Sequence, residues 1–79
     1  MKNKNPDPPN ELVEELIGYL QNSKLDKLLK RLDQLIIEYP KSGTLYNILG
    51  VYHKTTNDDD KAGKFFEKSY QLNKNDPNI

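Results

Sequence analysis

The stretch that decides the fold is YNILGVYH, at residues 46–53. Every residue in it except Gly50 suits a buried helix or strand, whereas a glycine in a helix interior costs about 0.5–1 kcal/mol relative to alanine. Three local structures explain a glycine at this position: a turn, a bulge in a strand, or a helix that a second helix approaches too closely for a side chain. The sequence on either side decides among them.

Apolar residues recur at helical spacing on both sides of Gly50, and no stretch alternates as a half-buried strand does. The pattern predicts four helices: one from Asn10, one ended by Pro40, one capped by Ser42 that contains Gly50, and one that begins within TTNDDDK. The strand interpretation of Gly50 is therefore excluded.

Two short polar stretches predict where helices begin. Ser23-Lys24-Leu25-Asp26 has the form of a capping box, which places Ser23 as the N-cap of the second helix. Asn57 is predicted to cap the fourth helix, with the aspartates at 58–60 in its first turn. A calcium loop would need ligands spread over about twelve residues and a closing glutamate, so we interpret the acidic run as a helix start.

The chain matches itself when it is shifted by 34 residues, which brings Ser23 onto Asn57 and Leu32 onto Phe66. The same shift places Asp26-Lys27 on Asp60-Lys61 and Ile17 on Val51. Capping and core positions coincide in one register. The chain therefore contains two copies of one helical hairpin.

This repeat resembles the tetratricopeptide repeat, whose pattern is W-x2-L-G-x2-Y, then A-x3-F, then P. The second unit reads Tyr46-x2-Leu49-Gly50-x2-His53 and then Ala62-x3-Phe66. The first unit is more degenerate: it keeps Tyr19 and Pro40 but has leucines at the small-residue positions 16, 28 and 35. Bulky leucines there should push the first two helices apart or tilt them.

The resemblance implies an all-α fold, a right-handed stack of two antiparallel helical hairpins. It divides the chain into a flexible leader at 1–9, a first hairpin at 10–40, a second hairpin at 41–74, and a tail or truncated third unit at 75–79. In this arrangement Gly50 and Ala62 are the small residues that let the two helices of the second hairpin approach closely.

Composition and motifs exclude several classes of function. Twelve basic residues balance twelve acidic ones, so the basic excess typical of nucleic-acid or membrane-surface modules is missing. No apolar run is long enough for a signal peptide or a membrane span, and cysteine is absent, which predicts a cytoplasmic protein. His53 is the only histidine, with no partner in the sequence for a metal or a catalytic role, so we predict a structural ring, no cofactor and no enzyme.

In tetratricopeptide proteins the first helices of successive hairpins line a concave groove that takes extended peptides or partner helices. The resemblance therefore implies a protein-interaction module that binds a protein or peptide partner. The corresponding positions here are Val13, Ile17, Leu20, Asn47, Val51 and Lys54. The alternative is that these residues only complete the core or are covered by neighbouring elements.

Two repeats bury little apolar surface, because solenoids generally need three or more units. Phe65 and Tyr70 on the last helix are therefore candidates for a self-association surface, through which the chain would form a homodimer or stack end to end. A further alternative, by family analogy, is an N-terminal accessory or dimerisation domain of a larger bacterial enzyme such as a glycosyltransferase, sulfotransferase or oxygenase.

Overall fold

The computed structural model describes residues 7–74, and within that range it contains four α-helices and no strand. They are α1 (Asn10–Gln21), α2 (Leu25–Glu38), α3 (Gly43–Thr55) and α4 (Asp59–Lys74). The prediction of an all-α fold is confirmed. The predicted tail at 75–79 and the first six residues of the predicted leader lie outside the described residues.

The start of α3 and the end of α2 lie where the sequence predicts them. The Ser42 side chain accepts a hydrogen bond from the backbone N–H of Leu45 at 3.2 Å, which satisfies one of the donors left free at a helix start. At the end of α2, the N–H of Tyr39 still bonds the carbonyl of Leu35 at 2.7 Å. Pro40 follows and has no N–H to continue the helix.

The two predicted helix starts at Ser23 and Asn57 are wrong, because both residues end the preceding helix. Their φ angles are 59° and 64°, the left-handed conformation that closes a helix C-terminus. After α1, the N–H of Lys24 donates to the carbonyl of Tyr19 at 2.8 Å. After α3, the N–H of Asp58 donates to the carbonyl of His53, also at 2.8 Å. These are Schellman closures, repeated 34 residues apart.

The residues that directly precede α2 and α4 are Lys24 and Asp58, and only Asp58 supplies a side-chain cap. Lys24 precedes α2 and makes no side-chain capping bond. At the start of α4 the Asp58 carboxylate accepts from the N–H of Lys61 at 3.4 Å, and its backbone carbonyl accepts from Ala62 at 3.0 Å. The acidic run at 58–60 thus begins a helix, as predicted, but Asp58 supplies the cap.

Because Ser23 adopts a conformation that costs an L-residue about 1–2 kcal/mol, we expect Ser23→Gly to raise the free energy of unfolding by about 0.5–1 kcal/mol. Asn57→Gly should gain less, since asparagine tolerates this conformation better than serine does. Urea unfolding followed by circular dichroism measures both changes. Asn22→Gly is the control: Asn22 has a φ of −97°, so glycine there should lower stability. Equal effects of Ser23→Gly and Asn22→Gly would contradict the assigned turn.

The backbones of α3 and α4 run closer together than those of α1 and α2. The reason is a pair of glycines on α3. A Cβ atom on Gly50 would lie 2.5 Å from Cε1 of Phe66, and one on Gly43 would lie 3.2 Å from the backbone oxygen of Ser69. The close approach predicted for Gly50 is therefore present, but the group that fills the space over it is the Phe66 ring and not Ala62.

A cluster of seven aliphatic side chains forms the buried core. Its members are Leu16, Leu28, Leu32, Leu35, Leu45, Ile48 and Leu49. Three of them are the leucines at the small-residue positions of the first unit, which agrees with the wider separation of α1 and α2. Helix α3 contacts all three other helices, whereas α4 contacts only α3. The core thus lies between α1, α2 and the inner side of α3.

Residues 7–9, predicted from the sequence to belong to the flexible leader, are attached to the helices: Asp7 contacts Ser42 at the start of α3, and the Pro9 carbonyl accepts hydrogen bonds from the first turn of α1. Pro8 is buried, and the Ser42 hydroxyl donates a hydrogen bond of 2.5 Å to the Asp7 carboxylate. A carboxylate is stabilised near a helix N-terminus by the helix dipole. This end of the leader therefore belongs to the folded unit.

Candidate functional site

We use the term α1–α3 face for the six candidate groove positions. On α1 they are Val13, Ile17 and Leu20, and on α3 they are Asn47, Val51 and Lys54. Each trio has spacing i, i+4, i+7, which places its members on one side of the helix. The two trios are related by the repeat shift of 34 residues. Helices α1 and α3 are in contact, so the two helices that carry the trios are neighbours in the fold.

The six side chains differ in how far they are exposed. Asn47 and Lys54 are exposed, Ile17 is 39% exposed, and Val51 is half-buried. The other two, Val13 and Leu20, are half-buried and pack against the core. The α1–α3 face therefore has an aliphatic centre and a polar edge on α3. Val13 and Leu20 also complete the core, which agrees at these two positions with the alternative interpretation that the groove residues are core residues.

Charge is distributed unevenly around this face. Glu14 is exposed on the first half of α1, whereas Lys54 is exposed in the last turn of α3. Neither residue takes part in the two ion pairs of the described chain, Arg31–Glu15 and Lys61–Asp58. Only Lys54 belongs to the α1–α3 face, because Glu14 lies about 100° round α1 from Val13, at the position equivalent to the buried Ile48 of α3.

The candidate self-association residues do not share one patch. Phe65 is half-buried and stacks on two rings of α3, with centroid distances of 5.2 Å to His53 and 6.1 Å to Tyr46. Tyr70 is 62% exposed. Five residues along a helix correspond to a rotation of roughly 140°, so the two side chains leave α4 in different directions. Ring contacts within the chain occupy Phe65.

His53 belongs to an aromatic row between α3 and α4. It lies flat against Phe65, with 9° between the rings, and meets the ring of Tyr52 edge-on at 4.9 Å. At the other end of the row, the Lys68 ammonium lies 5.4 Å from the centroid of Tyr46. These contacts fit the interpretation of His53 as a packing residue. Within residues 7–74, no group of histidine and acidic residues is placed to hold a metal ion.

A polar cluster that was not predicted from the sequence joins α1 to α2. The Tyr19 hydroxyl donates to the Glu15 carboxylate at 2.9 Å, and the Arg31 Nε lies 3.8 Å from the other oxygen of Glu15. The hydrogen bond to Glu15 raises the pKa of Tyr19 above its ordinary value of 10.0; desolvation adds to the shift, and Arg31 opposes it. The i, i+4 spacing of Glu15 and Tyr19 is the feature of the sequence that could have predicted their contact, because residues four apart are neighbours on a helix surface.

This cluster predicts a loss of stability at alkaline pH. A raised pKa means that the folded chain keeps a proton which the unfolded chain has already released, so the Tyr19 contribution is complete below pH 10.0 and is lost as pH rises through the folded-state pKa. We expect the stability of the wild type to fall more steeply than that of Tyr19→Phe above about pH 10. Urea midpoints measured across this range test it, since the other four tyrosines are common to both chains. Parallel pH profiles would contradict the linkage.

The described surface includes two shallow depressions. The larger, about 360 Å³, lies along one side of α4; the smaller, about 290 Å³, lies at the turn between α1 and α2. Each is lined by consecutive or neighbouring residues of one segment. Neither depression includes a residue of the α1–α3 face.

No family model matches the chain, and no match was found among the curated proteins or the solved structures. The tetratricopeptide resemblance therefore rests on the residues alone. Among the helices within residues 7–74, none has the length and apolar character needed to cross a membrane.

Proposed function

We propose that the chain is a non-catalytic protein-interaction module that binds a peptide on the α1–α3 face. The observation that carries this proposal is the repetition of one helix surface on two contacting helices, with Ile17 exposed on α1 and its equivalent Val51 half-buried on α3. Apolar side chains left accessible at equivalent positions form a continuous surface for a partner. Lys54 is the only titratable group among the six residues, which suits binding and gives no acid–base pair.

The helix arrangement supports a tetratricopeptide-like stack as the origin of this surface. Helix α3 contacts both helices of the first hairpin, and α4 contacts α3 alone, as expected when a second hairpin is added to a first through its leading helix. The Schellman closures at Ser23 and Asn57 repeat at the 34-residue spacing, and in the second unit the ring of Phe66 lies over Gly50. A stack of this kind presents its leading helices, α1 and α3, on one side.

The test begins with a peptide selected against the folded chain from a random-peptide display library. Val51→Glu should then reduce its affinity at least about tenfold, because a carboxylate in the aliphatic centre must be desolvated when the peptide binds. Circular dichroism establishes that helix content is unchanged.

Ile37→Glu is the matched control, because Ile37 is an aliphatic residue 81% exposed on α2, outside the α1–α3 face. The control should bind like the wild type. Equal losses in Val51→Glu and Ile37→Glu, or no loss in either, would contradict the proposed site.

A further inference from the structure

We infer that residues 7–9 form a strap that holds the start of α1 against the start of α3, with Asp7 as a positioning residue for the α1–α3 face. The strap contacts both helices where they begin, at one end of this face. Its effect on peptide binding rests on the proposed function, whereas the strap itself rests on hydrogen bonds and burial.

Two hydrogen bonds in series connect Asp7 to α3. The N–H of Leu45 donates to the Ser42 hydroxyl oxygen at 3.2 Å, and that hydroxyl donates to the Asp7 carboxylate. Ser42 is fully buried, so a hydroxyl proton without an acceptor there would carry a desolvation cost. The acceptor is charged, which strengthens the bond, and a negative charge is favoured at the start of a helix. Asp7 therefore completes the cap of α3 from a position 35 residues away in the chain.

The same segment leads directly into α1. The Pro9 carbonyl accepts from the N–H groups of Leu12 and Val13 at 3.0 and 3.2 Å, and no side chain caps this helix. Pro8, between Asp7 and Pro9, is buried. Two consecutive prolines fix φ at both positions, and the first of them also restricts the backbone of Asp7. The strap is therefore stiff, so a displacement of its contact with α3 is transmitted to the start of α1.

The strap joins two helices that no short connection links. The connection between the hairpins joins α2 to α3, so α1 is held to α3 by non-covalent contacts. Val13, the first residue of the α1 trio, bonds the strap through its own N–H, and Asn47 of the α3 trio lies five residues after Ser42. Asp7 therefore sets how the two trios lie at this end of the face, although it is not one of the six face residues.

The experiment compares Asp7→Ala, which removes the acceptor, with Asp7→Asn, which keeps an oxygen for the Ser42 hydroxyl. Amide hydrogen exchange of the full chain is followed residue by residue by nuclear magnetic resonance. In Asp7→Ala we expect the amide of Leu45 on α3 to exchange at least about fivefold faster than in the wild type. The amides of Leu12 and Val13 on α1 should accelerate by a similar factor, and Asp7→Asn should restore most of the protection.

The α1 amides distinguish a strap from a local cap of α3, because they donate to Pro9 and not to Asp7. The amide of Ala62, which bonds the Asp58 carbonyl at the start of α4, should change by less than about twofold. Asp33→Ala, the same substitution at an exposed aspartate on α2, should leave all these amides at the wild-type rates. Faster exchange on α3 alone, or equal acceleration at Ala62, would overturn the strap.

Affinity for the display-selected peptide measures the effect on the α1–α3 face. Asp7→Ala should weaken binding about threefold, because the apparent affinity falls with the fraction of molecules that hold the competent geometry. Asp7→Asn should recover it, and Asp33→Ala should bind like the wild type. If Asp7→Ala binds like the wild type while Val51→Glu does not, Asp7 is not a positioning residue and the proposed function stands. If Val51→Glu has no effect, the proposed function fails, and exchange at the two helix starts still decides the strap.

Discussion

Leu16→Ala is expected to lower the free energy of unfolding by about 2–5 kcal/mol, the range for removing a buried leucine side chain from a packed core. Leu16 is fully buried, with 0% of its surface exposed, and it belongs to the same cluster as Leu28 and Leu32. The tetratricopeptide pattern would allow a small residue at this position. The structure instead gives the leucine the role of filling the wider space between α1 and α2.

Ile37→Ala provides the control for Leu16→Ala, because Ile37 is 81% exposed on the outer side of α2. Its effect should stay within about 0.5 kcal/mol, as for surface substitutions in general. Urea unfolding at one temperature, monitored by circular dichroism, compares the two variants. A domain of 79 residues has a small free energy of unfolding, and the expected loss is a large part of it. Leu16→Ala should therefore be largely unfolded without denaturant. Similar midpoints for the two variants would show that Leu16 is not a core residue.

Gly50→Leu is expected to cost about 1–3 kcal/mol, the usual cost of overpacking a core. Even a Cβ atom at this position would lie within 3.0 Å of three atoms of the Phe66 ring, the nearest at 2.5 Å. The ring would have to move away from α3, and with it the contacts that hold α4 against the rest of the chain. Thermal unfolding of the variant should therefore begin well below that of the wild type.

Two further variants separate this steric effect from helix propensity. Gly63 is exposed on α4, and a Cβ atom added there would meet no atom within 4 Å, so Gly63→Ala should raise stability by about 0.5–1 kcal/mol. Phe66→Ala combined with Gly50→Leu should recover part of the loss, since it removes the ring that the leucine meets. If Gly50→Leu and Gly63→Ala both stabilise the chain, α3 and α4 are not in the close contact described.

The sequence predicted the close approach at Gly50 but not the residue that makes it. Ala62 and Phe66 lie one turn apart on α4, so both belong to the same side of that helix. Which of them covers Gly50 depends on how α4 is rotated and shifted along α3. That rotation is set by packing across the whole interface, including the contact between Gly43 and Ser69. Local spacing does not contain this information.

The helix caps show a second limit of sequence reasoning. Serine and asparagine both favour helix starts, and of the two only asparagine is common in left-handed turns. Ser23 and Asn57 each lie in a connection so short that the end of one helix and the start of the next fall on adjacent residues. Their backbone angles decide the question, and the sequence gives no sign of them. The contact of Asp7 with Ser42 likewise joins residues far apart in the chain. Sequence spacing predicts neighbours on one helix and misses such pairs.

The α1–α3 face was accessible to prediction because it depends only on helix periodicity and on the repeat. The shift of 34 residues that relates Ile17 to Val51 holds whatever the rotation of α4. The degree of exposure was not accessible: Ile17 is 39% exposed, whereas Leu20, three residues later, packs against the core. That difference depends on where α1 lies against α2 and α3.

The most direct test of the α1–α3 face is to map the backbone amide chemical shifts of the labelled chain during titration with the display-selected peptide. We expect the largest changes on α1 and α3, at the two equivalent trios that include Ile17 and Val51, with little change along the outer side of α4. Changes concentrated on α4 around Lys64 and Gln71, with α1 and α3 unaffected, would contradict the proposed interaction surface.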